Sequence, residues 1–243
     1  MKICIAGTST SRDLIEKYQP KFLLESFYYF QDWQLEFLKK SELFLLDSGA
    51  FTFMNNFKGK VDWDAYIEKY AAFINKYNVK YFFELDIDVV VGLPEVKRLR
   101  KKLEDLTHNK CIPVWHKSRG LEEWYDICKN YDYVAIGGIV IKEIKKTDYP
   151  YFKPLLNIAK KYNTKVHGLG LTATQELEKY PFYSVDSTSW VSSSRFGQVQ
   201  VFKGSTIKGI QRPANTRIGD YKKALEFSLQ EWLKFQSYAE FNL

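Results

Sequence analysis

Two aspartates stand at the ends of short apolar runs far apart in the chain: Asp47 closes LFLLDSG (43–49) and Asp186 lies in FYSVDS (182–187). A carboxylate at the end of a buried strand is desolvated, which costs free energy unless it is paired, hydrogen-bonded or used. Two such groups facing one pocket can cleave an N- or O-glycosidic bond, one attacking the sugar carbon while the other moves protons. The structural alternative is that each caps its following loop as an Asx motif, and the residues leave both readings open.

Other polar residues gather at equivalent places. Glu84, Asp86 and Asp88 end KYFFELDID (80–88), and His116 ends CIPVWH (111–116). Gly137 and Gly138 end YVAIGG (133–138), His167 with Gly168-Leu169-Gly170 lies in KVHGLG (165–170), and Ser48 and Ser187 follow the two aspartates. Lacking a Cβ, the Gly137-Gly138 pair can present a main-chain N–H to a ligand carbonyl or simply form a tight turn. GLG does not match the longer dinucleotide fingerprint. His116 and His167 have no third ligand at convincing spacing, so no metal site is expected.

These residues need elements to position them. The apolar runs, with KICIAG (2–7) at the start and a weaker QVQVFKG (198–204), alternate with segments of helical period such as 61–77, 93–106 and 151–162. Nearly all-apolar strands separated by helices imply a parallel sheet buried on both faces. Seven firm strands and one weak one predict an eight-stranded (β/α)8 barrel of the TIM type, a fold whose active sites lie at the strand C-terminal ends. The aromatic-rich stretch 18–40 is long enough to carry an extra helix, and a C-terminal helix is expected over 220–235. No domain boundary or internal repeat is visible, so residues 1–243 read as a single domain.

Of the 243 residues, 45% are hydrophobic and 17% aromatic, which excludes a disordered chain. No run nears the roughly 18 apolar residues needed to span a bilayer, and the first residues carry too short an apolar stretch for a signal peptide. A soluble cytoplasmic protein is expected. Cys4, Cys111 and Cys128 lack close spacing and are expected to be buried free thiols. Lys and Arg outnumber Asp and Glu by 36 to 29, a net charge of +7 that favours polyanionic partners. The run KRLRKK (97–102) is expected to be a solvated helix face.

Taken in order, the strand-end motifs resemble those of the tRNA-guanine transglycosylases. LLDSGAFTF (45–53) is similar to their DSGGFQ motif, ELDID (84–88) to their FDE strand, and VAIGGIVIKE (134–143) to their AIGGLAVGE segment. VHGLGLTA (166–173) resembles their MGVGTP turn, and VDSTSWVSSSRFG (185–197) their FDCVLPTR segment. The resemblance implies base exchange with Asp186 as nucleophile, Asp47 as general acid/base, Asp86 on the Watson–Crick edge of the purine and the Gly138 N–H on its carbonyl. It also implies base contacts near Ser48, Gly137 and Gly168, with Trp115 or His116 where the family has a glutamine.

The family's cysteine-rich zinc site is missing, since no cysteine follows Cys128. In this the chain resembles the zinc-free phage and bacterial relatives that insert 7-deazaguanines into DNA. The implied substrates are DNA, or alternatively tRNA, and a free 7-deazaguanine base, with no cofactor. Arg195, Lys203, Lys208, Arg212 and Arg217 are candidate phosphate contacts, or alternatively a solvated basic tail. Two other classes fit the same residues: a glycosidase or nucleoside hydrolase, and a non-catalytic nucleic-acid-binding relative.

Overall fold

The computed structural model describes residues 1–49, 52, 61–171, 173–191, 197–211 and 219–243. Strands β1 (Lys2–Ala6), β2 (Phe22–Ser26), β3 (Leu43–Asp47), β4 (Val114–Trp115), β5 (Tyr133–Ile136), β6 (Lys165–Gly168) and β7 (Ser184–Ser187) form one parallel sheet. Its order is β3-β2-β1-β7-β6-β5-β4. Two further strands, β8 (Gln198–Lys203) and β9 (Thr206–Gln211), form a separate antiparallel hairpin.

Alternation along each strand sorts the apolar residues into two cores. Cys4, Ala6, Phe22, Leu24, Leu43, Leu45, Phe83, Ile112, Val114, Tyr133 and Ala135 pack together on the inner face of the curled sheet. Ile3, Ile5, Leu23, Phe44, Leu46, Val134, Ile136, Val166 and Val185 belong to the outer cluster, beneath the helices. Burial of both faces explains why consecutive strand positions are apolar.

The helices are α1 (Arg12–Tyr18), α2 (Phe37–Lys40), α3 (Trp63–Tyr77), α4 (Asp88–Val91), α5 (Leu93–Thr107), α6 (Gly120–Asn130), α7 (Phe152–Lys161) and α8 (Tyr221–Asn242). Asp62 and Asp220 start α3 and α8 by accepting from the N–H groups of Ala65 and Lys223, each at 3.0 Å. Helix α8 runs past the expected 220–235, because Trp232, Phe235 and Ala239 continue its buried stripe. Gln236 donates to the carbonyl of Ile3 at 2.8 Å, and the Met1 amine donates to that of Ala239 at 2.9 Å. The later turns of α8 therefore lie beside the N-terminal end of β1.

The expected eight-stranded barrel is corrected at three places. Residues 198–204 do not enter the parallel sheet: Gly204, at φ +68°, makes a two-residue turn with Ser205 that folds β8 onto β9. Stretch 18–40, read as room for an extra helix, contains β2. There Glu25 sits on the outer face bonded to the Thr8 hydroxyl, and burial pushes its carboxyl up to about 8.

The run 80–88 gives no regular strand. Phe82 and Phe83 make isolated parallel bridges to Leu46 of β3 and to Ile112, just before β4. The edges of the seven-stranded sheet are thus joined by four hydrogen bonds through an irregular segment. These are Leu46 N–H to Tyr81 O, Phe83 N–H to Leu46 O, Ile112 N–H to Phe82 O and Glu84 N–H to Ile112 O. Beyond them, the Ile87 N–H turns back to the Leu85 carbonyl at 3.1 Å, which takes the backbone out of the ladder.

The three cysteines are buried free thiols, as their surroundings in the sequence suggested. Among the described residues no helix is long and apolar enough to cross a membrane.

Candidate active site

Because the sheet is parallel, all strand C-termini lie at one end, and inner-face positions there project into the mouth of the curl. Alternation puts Asp47 in line with Leu43 and Leu45, Asp186 with Ser184, His116 with Val114, and His167 two residues beyond Lys165 on β6. Burial pushes the Asp47 carboxyl up to about 6, against the hydrogen bond from Gly49, and the charges of Asp86 and Asp186 push the same way. Three aspartates expected at the site therefore share one field.

The two readings of the strand-end aspartates separate here. Asp47 Oδ2 accepts from the Gly49 N–H at 2.9 Å, which is an Asx turn. Gly49 has φ +79°, and a Cβ there would lie 2.5 Å from Cβ of Tyr28, so only glycine fits. Asp186 caps nothing among the described residues of its own loop. Its Oδ1 instead accepts from Gly170 N–H at 2.7 Å and from His167 Nε2 at 3.2 Å, groups brought from β6 and the turn after it.

The wall between β3 and β4 is ionic. His116, 4% exposed, faces Asp86 through Nε2 at 2.7 and 2.8 Å and Glu143 through Nδ1 at 2.8 Å. Burial opposes its charge, but the two carboxylates prevail and hold the imidazolium up to about 9. Arg119 bridges three acids: Glu84 at 2.7 Å, Asp86 at 3.0 Å and Asp88 at 3.1 Å. Glu84, fully buried, also binds Arg100 at 2.5 Å and accepts from Val114 N–H at 2.9 Å. Although burial raises Asp88, its hydrogen bond and charge contact with Arg119 leave it below the usual carboxylate range.

Reading the sequence missed Arg119, Arg100 and Glu143. The signal for Arg119 was its place three residues after His116, on the same turn; Glu143 closes a motif already singled out, IVIKE. Asp86, Asp88 and His116 could each offer one atom to a metal, with those atoms within 4.8 Å of one another. The guanidinium of Arg119 and the imidazolium already neutralise these carboxylates, so the set fits an ion-pair network better than a metal centre.

The glycines serve the histidine. A Cβ on Gly137 would lie 2.8 Å from His116 Nε2, and one on Gly138 2.9 Å from Glu143 Oε2. The Gly137 N–H is spent on the Trp115 carbonyl at 2.8 Å, whereas the Gly138 N–H makes no hydrogen bond among the described residues. Ser48 is buried and Ser26 partly so, and the hydroxyl of each has no hydrogen-bond partner among the described residues.

Two expected base contacts lie elsewhere. Trp115 is on the outer face, stacked edge-on to Trp124 at 5.6 Å and lining a cavity of about 310 Å³ with Ile144, Phe152 and Leu155. Adjacent strand residues face opposite ways, so only His116 of that pair can reach the mouth. Gly168 likewise faces Val185, Leu171 and Phe182 of the outer core.

The expected phosphate contacts are dispersed. Lys203 is exposed and follows Phe202, whose ring packs on Phe235 and Tyr238 of α8, while its ladder partner Thr206 meets Thr174 in the connection after β6. Lys208 is exposed on β9, opposite Val201. Arg195, Arg212 and Arg217 lie outside the described residues. Around the mouth, the loops after β2, the 81–86 segment and β5 expose Tyr28, Tyr29, Val89, Val90, Val140 and Ile141.

The chain matches no protein-family model and no curated protein.

Proposed function

We propose that this chain is a base-exchange transglycosylase that replaces guanine in DNA with a 7-deazaguanine through a covalent aspartyl-sugar intermediate. The observation that carries the reading is the placement of Asp47, Asp86 and Asp186, from three separate segments, at the C-terminal end of one parallel sheet, where the charges of the other two act on Asp47. Each has a different fit. Asp186 presents for attack on C1′ a carboxylate oxygen, Oδ2, that accepts no hydrogen bond among the described residues. Asp47, pushed up to about 6, exchanges a proton readily near neutral pH, as a general acid/base must. Asp86, fixed by Arg119 and His116, can accept from the donor edge of a guanine while the unspent Gly138 N–H meets its carbonyl oxygen.

A base inside a duplex cannot reach such a mouth, so the nucleotide leaves the stack at a cost of a few kcal/mol. The exposed Tyr and Val rim supplies apolar surface for the bases left beside it, and the net charge of +7 favours the polyanion. DNA is preferred over tRNA because the cysteine-rich segment typical of the tRNA enzymes is missing from the sequence.

The test is incorporation of labelled guanine or 7-deazaguanine into single-stranded DNA, duplex DNA and a tRNA stem-loop, with denaturing electrophoresis for the adduct. Asp186→Asn should abolish both exchange and adduct. Asp47→Asn should slow exchange by about 10²–10⁴, with adduct forming slowly rather than not at all, because the attacking group remains. Full exchange by Asp186→Asn would sink the assignment, activity on tRNA alone would move the substrate, and release of guanine without incorporation would make the chain a hydrolase.

A further inference from the structure

Behind the nucleophile lies a chain of side chains that the exchange reaction, as described so far, does not use. Tyr133 of β5, His167 of β6 and Ser184 of β7 share the inner face, because the ladder pairs Ala135 with His167 and His167 with Ser184. Tyr133 Oη meets Ser184 Oγ, Ser184 Oγ meets His167 Nδ1 at 2.6 Å, and His167 Nε2 meets Asp186 Oδ1 at 3.2 Å. All four are buried, His167 and Ser184 completely. The Phe83 ring, 5.4 Å from the imidazole, walls its other side.

Only one direction of hydrogen bonding satisfies every group. Among the described residues Tyr133 has no other acceptor for its hydroxyl hydrogen, so it donates to Ser184, Ser184 donates to Nδ1, and the ring hydrogen sits on Nε2, aimed at the carboxylate. Oδ1 of Asp186 then receives two N–H groups, from His167 and Gly170, while Oδ2 receives none among the described residues.

We propose that the Tyr133–Ser184–His167 chain positions the nucleophile, tethering Oδ1 of Asp186 so that Oδ2 is the atom that attacks C1′. The inference rests on the base-exchange reading. In the first half-reaction an Oδ2 lone pair forms the bond to C1′, the N9–C1′ bond breaks, and its electron pair leaves with guanine, which takes a proton from Asp47. In the second, N9 of the incoming base bonds C1′, the Oδ2–C1′ pair returns to the carboxylate, and the N9 proton passes to Asp47. Throughout the ester's life Oδ1 is its carbonyl oxygen, and the same two N–H groups stabilise the negative charge that returns as the ester is displaced.

His167 is a positioning residue, so its loss should act on turnover rather than on binding. In labelled-base incorporation, His167→Phe should lower kcat by about 10–100-fold with KM for the free base unchanged within about twofold. His167→Gln, whose side-chain amide can still donate to Oδ1, should recover most of that loss. Unchanged kcat in His167→Phe, or a Gln variant no better than Phe, overturns the inference. Nitrogen-15 spectra of histidine-labelled unaltered protein provide a readout independent of whether the variants fold: the Nε2–H tautomer is expected, and an Nδ1–H tautomer overturns the direction of the chain. Failure of the unaltered chain to exchange any base removes the base-exchange reading itself, whereas normal exchange by both it and His167→Phe removes only the role of His167.

Discussion

On one wall of the mouth, between β3 and β4, Glu84, Asp86, Asp88 and Glu143 meet Arg100, Arg119 and His116 in ion pairs on an irregular backbone. On the other, Tyr133, Ser184 and His167 lead to Asp186 through hydrogen bonds between regular parallel strands. Each wall is built around a buried histidine. In the first the imidazole is a cation between two acids; in the second it is a relay with one acceptor and one donor nitrogen. The contrast follows from what surrounds the rings. Charged groups must be brought in from α5 and the turn after β4 to balance ELDID, whereas strand neighbours alone supply the neutral chain. An ionic wall suits the recognition of a polar base edge. The neutral wall would leave the charge of Asp186, the proposed nucleophile, undiluted.

Breaking the ionic wall should have the largest effect. Arg119→Met leaves Glu84, Asp86 and Asp88 without their shared cation, a change expected to cost about 3–5 kcal/mol in denaturant unfolding. A cost under about 1 kcal/mol would show that the acids are solvated and the wall is not ionic in the sense argued.

An intermediate effect is expected from pH. His116 titrates at about 9 in the folded chain against an ordinary value near 6.5. Because the folded value is raised, its contribution is fully present below about 6.5 and is lost as pH rises through about 9, by up to roughly 3 kcal/mol. Stability measured across that window should fall for the unaltered chain and fall less for His116→Asn. Equal slopes for the two would remove His116 as the source.

The smallest effect belongs to the neutral wall. Tyr133→Phe deletes the hydroxyl that starts the relay and keeps the ring packed against Tyr81 and Tyr183. It should cost about 0.5–1.5 kcal/mol, since one neutral hydrogen bond is lost and Ser184 can still donate to His167. A loss as large as that of Arg119→Met would erase the distinction between the walls.

The strand ends were legible in the sequence because desolvated acids in apolar runs are unusual, and Asp47, Asp86, His116 and Asp186 do converge. What escaped depended on partners distant in the chain. His167 gains its role from Ser184, 17 residues later, through the register of β6 and β7. Trp115 and His116 could be told apart only by the face each side chain takes. Strand β2 went unrecognised because Glu25 interrupts its apolar run; a carboxyl pushed up to about 8 is largely protonated at neutral pH, so the strand buries a neutral group. The barrel expectation failed for a related reason. The acids of ELDID bind Arg100, Arg119 and His116, and the segment turns aside from the ladder.

That irregular segment also gives the sheet a fault line. Fluctuations open a fold where regular pairing gives way, and at Tyr81–Glu84 four backbone bonds, with the Tyr70 hydroxyl reaching Leu46 O at 2.9 Å and Phe83 O at 3.2 Å, hold β3 to the β4 edge. Parting there would draw Asp47 away from Asp86 and His116 while leaving Asp186 on its ladder with His167. In amide hydrogen exchange, Leu46, Phe83, Glu84 and Ile112 would release their protons as one cooperative unit, earlier than the amides of β1 and β7. The mouth could then widen from one side only, with the Asp186 wall as the fixed jaw.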